Sequence, residues 1–195
     1  MTEAQQKARV AAIVAESVAA KQHYFAAQTA EVARAASLIT VSFRNGGKLL
    51  ICGNGGSACD AQHIAGEFVN RFLNPNRAAL PALALSTDGG VLTCIGNDMG
   101  FDQVFARQVE AFGAAGDVLL AITTSGNSPN VIAAAQQAQK QGVKIIGMLG
   151  RDGGQIVSLC DIALIVPHPD TQRIQETHGL IGHILCELVE ISLFA

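Results

Sequence analysis

The chain has 195 residues, 49% of them hydrophobic, which is enough apolar surface for one packed domain over 1–195 without disulfides or structural metals. Its formal net charge is −3 and no run of Lys or Arg occurs, so neither nucleic acid nor an anionic membrane is an expected partner. No apolar run approaches the roughly 20 residues that span a bilayer, and no secretory signal pattern is visible. The five cysteines include no C-x-x-C pair and four lie in runs typical of buried segments, so we expect a cytoplasmic protein.

A helical extension over 1–46 is predicted to open the chain. The stretch from Thr2 to about Asn45 is rich in Ala and Gln, and its apolar residues recur at roughly helical spacing. We expect two helices here, with a break near Gln28 and Thr29, and Asn45-Gly46-Gly47 supplies the stop. The spaced apolar residues are Val10, Ile13, Val14, Val18, Tyr24 and Phe25.

Beyond residue 47, strand-like and helix-like segments alternate, as in a parallel sheet covered by helices. The pattern predicts an α/β fold with three layers, in which a doubly wound sheet has five parallel strands. Strands are predicted near 48–52, 81–85, 117–122, 143–149 and 162–166, and helices near 57–73, 88–96, 101–113, 128–141 and from about 170 to the end. The helix over 101–113 is expected to place Phe101, Val104, Phe105, Val109 and Phe112 on one stripe.

A glycine loop, Gly53 to Ser57, directly follows an apolar run and opens onto a helix-compatible segment. A buried strand that ends in such a loop gathers free backbone N–H groups at the positive end of a helix, so a phosphorylated ligand is expected there. Residues 53–58 also match the dinucleotide fingerprint G-x-G-x-x-A, which is weak without an acidic residue about 20 positions later. The acidic residue at the end of the second strand, Asp88, comes considerably later than that, and we disfavour a dinucleotide.

A hydroxyl-rich loop follows the third predicted strand. Parallel strands place it and the glycine loop beyond the same edge of the sheet, so we expect both loops to face one crevice. Hydroxyl donors beside a helix N-terminus suit a monophosphate dianion. Alternatively, Ser125 or Ser128 only caps the helix that starts near Pro129, a role compatible with phosphate binding. The hydroxyl residues are Thr123, Thr124, Ser125 and Ser128, around Gly126.

Two predicted helices carry polar side chains that are candidates for a functional site. His63 and Glu67 lie four residues apart on one helical face, where they can bind a divalent metal, exchange protons with a substrate, or form only a surface contact. The last helix holds Gln175 and His183 in an otherwise apolar segment, together with Glu176 and His178. His183 fits a core histidine as well as a catalytic one. A rise of about 12 Å separates Gln175 from His183, so they serve one site only if long side chains converge or subunits share it.

Five motifs spread over the chain act as a set. They are Cys52-Gly53-Asn54-Gly55-Gly56-Ser57, Asp60-Ala61-Gln62-His63, Gly96-Asn97-Asp98, Thr124-Ser125-Gly126-Asn127-Ser128 and Arg173-Ile174-Gln175-Glu176. As a set they closely resemble the phosphoheptose isomerase family of the sugar isomerase (SIS) fold, over nearly the whole chain. The resemblance implies a flavodoxin-like strand order and a homotetramer with active sites between subunits, in which the helical extension serves oligomerisation.

The same resemblance implies an activity and a cofactor. The activity is conversion of sedoheptulose 7-phosphate to D-glycero-D-manno-heptose 7-phosphate through an enediol, the first step toward nucleotide-activated heptose for lipopolysaccharide or other surface glycans. Glu67 matches the base and His183 the partner acid or base. One Zn²⁺ per subunit is implied, on the four positions His63, Glu67, Gln175 and His183.

The resemblance also assigns residues to the substrate. The group implied for the phosphate is Ser57, Thr124, Ser125 and Ser128, and Asn54 and Asp98 are implied for the sugar hydroxyls or the reacting end. Further residues expected to bind the substrate are Gly55, Gly56, Asn97 and Gln175. Arg71 is expected to neutralise charge, with an ordinary surface role as the alternative. Gln172 departs from the family pattern, because some relatives carry an acidic residue there, so a role based on charge is not expected at this position.

Two other functions fit parts of this pattern. Non-catalytic proteins of the same fold bind a replication initiator, but they lack the Glu and His that this chain keeps at Glu67 and His183. Sugar-phosphate sensors of this fold are normally attached to a DNA-binding segment, and no helix-turn-helix with a basic face is visible. The sequence therefore favours the enzyme.

Overall fold

A computed structural model describes all 195 residues of the chain. Its centre is a five-stranded, all-parallel sheet in the order β2-β1-β3-β4-β5, which confirms the predicted fold class and the flavodoxin-like order. The strands are β1 (Leu49–Gly53), β2 (Ala82–Ala84), β3 (Val118–Thr123), β4 (Lys144–Gly150) and β5 (Ile162–Val166). Every residue of β1 and β3 is buried, because helices cover both faces of the sheet.

Six α-helices surround the sheet, which gives the three predicted layers. They are α1 (Glu3–Arg44), α2 (Gly56–Val69), α3 (Gly89–Asp98), α4 (Ala106–Phe112), α5 (Pro129–Lys140) and α6 (Thr171–Phe194), with 3₁₀ turns at Phe101–Gln103 and Gln155–Leu159. Two hydrophobic clusters, one on each face of the sheet, form the core. The predicted strands differ from these bounds by one residue at most.

The N-terminal extension is one helix, so the predicted break near Gln28 and Thr29 is wrong. Residues 3–44 contain neither Gly nor Pro, and Thr2 forms a capping box with Gln5 at the start of α1. The change in apolar spacing marks the place where α1 leaves the body of the fold. Before Tyr24 no residue of the helix is buried, whereas its second half packs into the core.

The predicted helix over 101–113 is interrupted. A 3₁₀ turn occupies its start and α4 begins only at Ala106. The tighter winding of the turn rotates Phe101 out of the expected apolar stripe, and this side chain is 63% exposed. Phe112 at the other end is also exposed, so only the middle of the stripe, Val104, Phe105 and Val109, is buried.

The last helix, α6, belongs to the core of the fold. By length and mean hydropathy α6 passes the test for a membrane span, but it packs against α1 and α2 and buries ten residues, as a core helix does.

Of the five cysteines, only Cys52 and Cys186 are buried and Cys160 is half-buried. Cys59 and Cys94 lie on exposed helical faces, so the expectation of four buried cysteines is wrong.

Candidate active site

The two predicted ligand loops meet at the carboxyl edge of the sheet. β1 and β3 are neighbours, and the strand order reverses between them, which is where open α/β sheets bind ligands. The side-chain amides of Asn54 and Asn130 join the loops by two reciprocal hydrogen bonds, of 2.8 and 2.9 Å. Asn130 is only 1% exposed, so this link is a buried part of the crevice.

The glycine loop leaves the start of α2 open. Gly55 is the N-cap residue, with φ +55°, and no side chain caps the helix. The N–H groups of Ser57 and Ala58 donate to the backbone oxygens of Asn54 and Gly55, so what this turn offers an anion is chiefly the positive end of the helix. Ser57 is buried within the same turn. A Cβ atom on Gly56 would lie 2.3 Å from Nε2 of Gln175, which shows that α6 approaches the loop closely here.

At the start of α5 the hydroxyl loop leaves the N–H of Asn130 without a hydrogen-bond partner, because Pro129 has no N–H and Val131 donates to the backbone oxygen of Ser128. Ser128 is the N-cap residue, but its side chain makes no capping hydrogen bond and its Oγ lies 3.0 Å from Oγ1 of Thr123. Ser125 Oγ accepts a hydrogen bond from the N–H of Asn127, which stabilises the turn and not the helix. The simple capping alternative is therefore wrong for both serines. Thr124 is half-buried in this loop.

A cluster of two histidines and one carboxylate lies on the outer faces of α2 and α6. Nε2 of His63 is 3.2 Å from Oε1 of Glu67 and 3.4 Å from Nε2 of His183, and the two imidazole rings meet edge to face. One ligand atom from each of the three residues lies within 4.8 Å of the others. Two imidazole nitrogens and a carboxylate oxygen are a donor set that suits Zn²⁺, so these residues fit such an ion.

Gln175 does not join this cluster within the chain. Its amide lies against Gly56, whereas His63 lies seven residues further along α2, a rise of about 10 Å. The chain therefore brings together three of the four residues predicted to bind zinc. The place of Gln175 among them stays a prediction.

Three other predicted residues lie apart from both loops. Arg71 is exposed in the segment that follows α2. Asn97 and Asp98 are exposed at the end of α3, where the Asn97 amide donates to Asp98 over 2.8 Å. No hydrogen bond connects them to the crevice, and their contact with substrate stays a prediction. Gln172 is exposed beside Arg173 at the start of α6.

The sequence patterns assigned no role to two groups near the site. One is Asn130, the partner of Asn54. The other is Asp60, whose Oδ2 is buried without a hydrogen-bond partner and whose pKa is raised by burial, an effect that His63 opposes. The spacing of three residues between Asp60 and His63 on α2 was the available signal, since it places both on one helical face. Nothing local in the sequence pairs Asn54 with Asn130.

The fold and this crevice define an SIS-domain protein, and the SIS domain family profile matches residues 13–150. The phosphoheptose isomerase of Pelobacter propionicus is 60% identical over 160 residues, which are 82% of this chain and 84% of that protein. The structure of a phosphoheptose isomerase from Neisseria gonorrhoeae superimposes with a TM-score of 0.91 at 47% identity, over 95% of this chain and 99% of the other. A second, from Francisella tularensis, gives 0.93 at 38% identity, over 98% and 100%. The chain belongs to the phosphoheptose isomerase family and is an isomerase.

Proposed function

We propose that the chain interconverts sedoheptulose 7-phosphate and D-glycero-D-manno-heptose 7-phosphate. The observation that carries this proposal is the cluster of His63 and Glu67, on the helix that begins at the phosphate crevice, with His183 on α6. An aldose–ketose isomerase needs a base near carbon and an acid near oxygen, and it needs a handle for the phosphate of its substrate. Both requirements are met by groups that the chain supplies.

In the proposed reaction Glu67 moves a proton between the two carbons that exchange the carbonyl. It removes the proton from the carbon beside the carbonyl, which gives the enediol, and returns it to the neighbouring carbon. His183 donates a proton to the carbonyl oxygen and accepts the proton of the adjacent hydroxyl, so protons balance over the cycle. Glu67 is only partly exposed and lies next to His63, which holds its carboxylate in place.

We further propose one Zn²⁺ per subunit, held by His63, Glu67 and His183 with Gln175 as the fourth ligand. When bound, the ion supplies Lewis-acid polarisation of the substrate oxygens. Glu67 then has two duties, and we propose that its carboxylate shifts between holding the ion and moving the proton.

Substrate recognition is proposed to use the two loops. The positive ends of α2 and α5, the unpaired N–H of Asn130 and the hydroxyls of Ser57, Thr124, Ser125 and Ser128 suit a phosphate. Asn54, Asn97, Asp98 and Gln175 are proposed for the sugar hydroxyls, and Arg71 for the remaining charge. Within this scheme Gln172 makes a neutral polar contact at most.

The separation of Gln175 from His183 supports active sites that are shared between subunits. We propose that Gln175 reaches the ion from a neighbouring copy, since within a chain it lies about two helical turns from His183 and its amide lies against Gly56. The exposed valines on the first half of α1 offer an apolar stripe for such a copy. We therefore propose a homotetramer, located in the cytoplasm, whose product enters heptose synthesis for lipopolysaccharide or another surface glycan.

An isomerisation assay on the purified protein tests this function. With Zn²⁺ supplied, sedoheptulose 7-phosphate should be converted to the aldose, and a chelator should remove the activity until Zn²⁺ is restored. The five-carbon and six-carbon ketose phosphates serve as controls for substrate length. No conversion of sedoheptulose 7-phosphate by the zinc-loaded protein would contradict the proposal.

A further inference from the structure

We propose that Arg77 and Glu190 are positioning residues for the His63, Glu67 and His183 cluster. They form a buried clamp that holds the last turn of α2, and the segment after it, against α6. By doing so they set the separation between Glu67 on α2 and His183 on α6. The inference rests on the proposed function, because it assigns these two residues a task in that reaction.

Glu190 is the centre of the clamp. Its side chain is 5% exposed and accepts hydrogen bonds from three consecutive backbone N–H groups, those of Phe72, Leu73 and Asn74, at 2.7 to 2.9 Å. Nε of Arg77 donates to the same carboxylate over 2.5 Å. A carboxylate with four donors is held in one orientation, and it fixes the backbone of the segment that turns away from α2.

Arg77 carries the contact back to α2. Its side chain is 1% exposed, and its two terminal nitrogens donate to the main-chain oxygens of Glu67, at 2.6 Å, and of Phe68, at 2.9 Å. These oxygens belong to the last turn of a helix, where carbonyls have no partner within the helix and favour a cation. The last turn of α2 contains no basic residue of its own, so Arg77 takes that place from outside the helix.

The clamp lies next to the cluster at both ends. Glu67 supplies one of the oxygens that Arg77 binds, while its carboxylate contacts His63. Glu190 follows His183 by seven residues, which is two turns of α6 and hence the same helical face. The ring of Phe72, whose N–H binds Glu190, lies 5.8 Å from the ring of His183. Movement at the clamp would therefore shift Glu67 and His183 relative to each other.

Stability alone is a weak reason for such a pair. Burying two charges requires desolvation that offsets much of their attraction, so apolar replacements of buried ion pairs are often neutral. Ligating and catalytic groups, in contrast, depend on supporting contacts that fix them to within about 0.5 Å. The clamp provides such support with seven charge-assisted hydrogen bonds on two side chains.

The test compares Glu190→Gln with the matched control Asp117→Asn. Asp117 is also a buried carboxylate, 3% exposed on its side chain, that accepts from two backbone N–H groups and a cation, but its partners are Lys48 and Ala114 only. Neither partner belongs to α2, α6 or the segment 70–77 that follows α2. Both substitutions remove one charge and keep the shape of the side chain. Arg77→Lys is the second test variant, because it keeps the charge and loses the fork that binds α2.

Three readouts are measured on folded protein well below its Tm. The ring NMR signals of His63 and His183 in metal-free protein should shift in Glu190→Gln and Arg77→Lys and stay in place in Asp117→Asn. The affinity for Zn²⁺ alone should fall about 10- to 100-fold in the two clamp variants and remain at the parent value in the control. With sedoheptulose 7-phosphate, kcat should fall while KM changes little, since the phosphate loops are untouched.

Unchanged ring signals, Zn²⁺ affinity and kcat in both clamp variants would overturn the proposal. So would recovery of all three readouts in the double variant Arg77→Met with Glu190→Gln, if they returned together with the Tm, because the clamp would then act only on stability. A parent protein that neither binds Zn²⁺ nor isomerises the substrate would contradict the proposed function instead. The ring signals, which need neither metal nor substrate, still decide on the clamp in that case.

Discussion

Glu67 is the side chain on which the proposed reaction depends most directly. Replacing it with Gln removes the proton acceptor and one anionic ligand while keeping the size of the side chain. We expect turnover to be abolished and affinity for the phosphate end of the substrate to remain, because the loops that bind it lie elsewhere. His183→Ala should act similarly and also weaken Zn²⁺ retention. Steady-state kinetics, titration with inorganic phosphate and metal analysis measure these effects.

The results for these two variants distinguish a catalytic role of Glu67 and His183 from a purely structural one. Near-normal activity of Glu67→Gln would remove Glu67 from the role of base. Unchanged rate and metal content in His183→Ala would return His183 to the alternative of an ordinary histidine. Lys140→Ala, on the far end of α5, is a suitable control for the handling of variant proteins.

Two glycines provide a matched pair in which the same substitution has different consequences. In Gly56→Ala the new Cβ meets only the flexible end of Gln175, so we expect little change in Tm but a loss of kcat as Gln175 is displaced. In Gly126→Ala the Cβ would lie 1.9 Å from the carbonyl oxygen of Gly153, at a φ of +67°, so the Tm itself should fall. Thermal melts and kinetics on both variants distinguish the two effects; equal losses of Tm would contradict this account.

At the scale of elements, buried parallel strands were the easiest features to predict. Runs such as Leu49 to Cys52 are apolar on both faces and end at glycine or polar residues, so their limits are local signals. The length of α1 was not predictable in this way, because a helix that leaves the core changes its apolar spacing without ending. The predicted overrun of α2 to residue 73 has a tertiary cause, since Glu190 binds the backbone of Phe72 to Asn74 and prevents helical continuation.

The exposed half of α1 leads to a prediction about assembly. Val10, Val14 and Val18 recur every four residues on one face and are 47% to 61% exposed, so they contribute little to the fold of one chain. Val14→Asp should therefore weaken the oligomer and leave the Tm of the subunit nearly unchanged. Light scattering after gel filtration measures the mass. A variant that kept the parent mass would exclude this stripe from the interface, and Ala15→Asp is the matched control on α1.

At the scale of the whole molecule, the proposed sharing of sites can be tested by mixing inactive variants. Glu67→Gln and Gln175→Leu each inactivate a site, but they do so from different subunits if the site is shared. Mixed oligomers then contain some sites in which both residues are intact, and activity should reappear. If each chain carries a complete site, the mixture should stay inactive. Activity measured directly after mixing, before the subunits exchange, is the control for activity measured after exchange.

Stability should fall in acid in two stages. His178 is fully buried, and burial lowers its pKa to about 4, so the folded state disfavours the proton that the unfolded state binds below about 6.5. Stability is therefore complete above that pH and declines toward pH 4, by about 3 kcal/mol. Burial acts to raise the pKa of Glu190, but Arg77 and the three backbone N–H groups outweigh it and lower the pKa to about 2, which extends the decline from about pH 4.5 to 2. Denaturant titrations at several pH values measure the slope, and His178→Gln should flatten it between pH 6.5 and 4.

The candidate site was predictable to the extent that its signals are local. The glycine loop, the hydroxyl loop and the pair His63 and Glu67 follow from short spacings along the chain. The contact of His183 with His63 spans 120 residues and depends on how α6 packs on α2, so spacing left its role open. The position of Gln175 over Gly56 also follows from that packing. The resemblance to a family supplied the roles, and the contacts within the chain account for three of the four proposed metal ligands.

The phosphate crevice has a consequence for the conditions in which the enzyme works. Residues 53–58 and 123–130, which form its two loops, contain no Lys or Arg. Their donors are hydroxyls and backbone N–H groups at close range, and such short-range contacts are screened far less by dissolved ions than separated charges are. The net charge of −3 also gives an anionic substrate no long-range attraction. Capture of the sugar phosphate should therefore tolerate wide changes in ionic strength, with a KM that stays level or decreases slightly as salt is added.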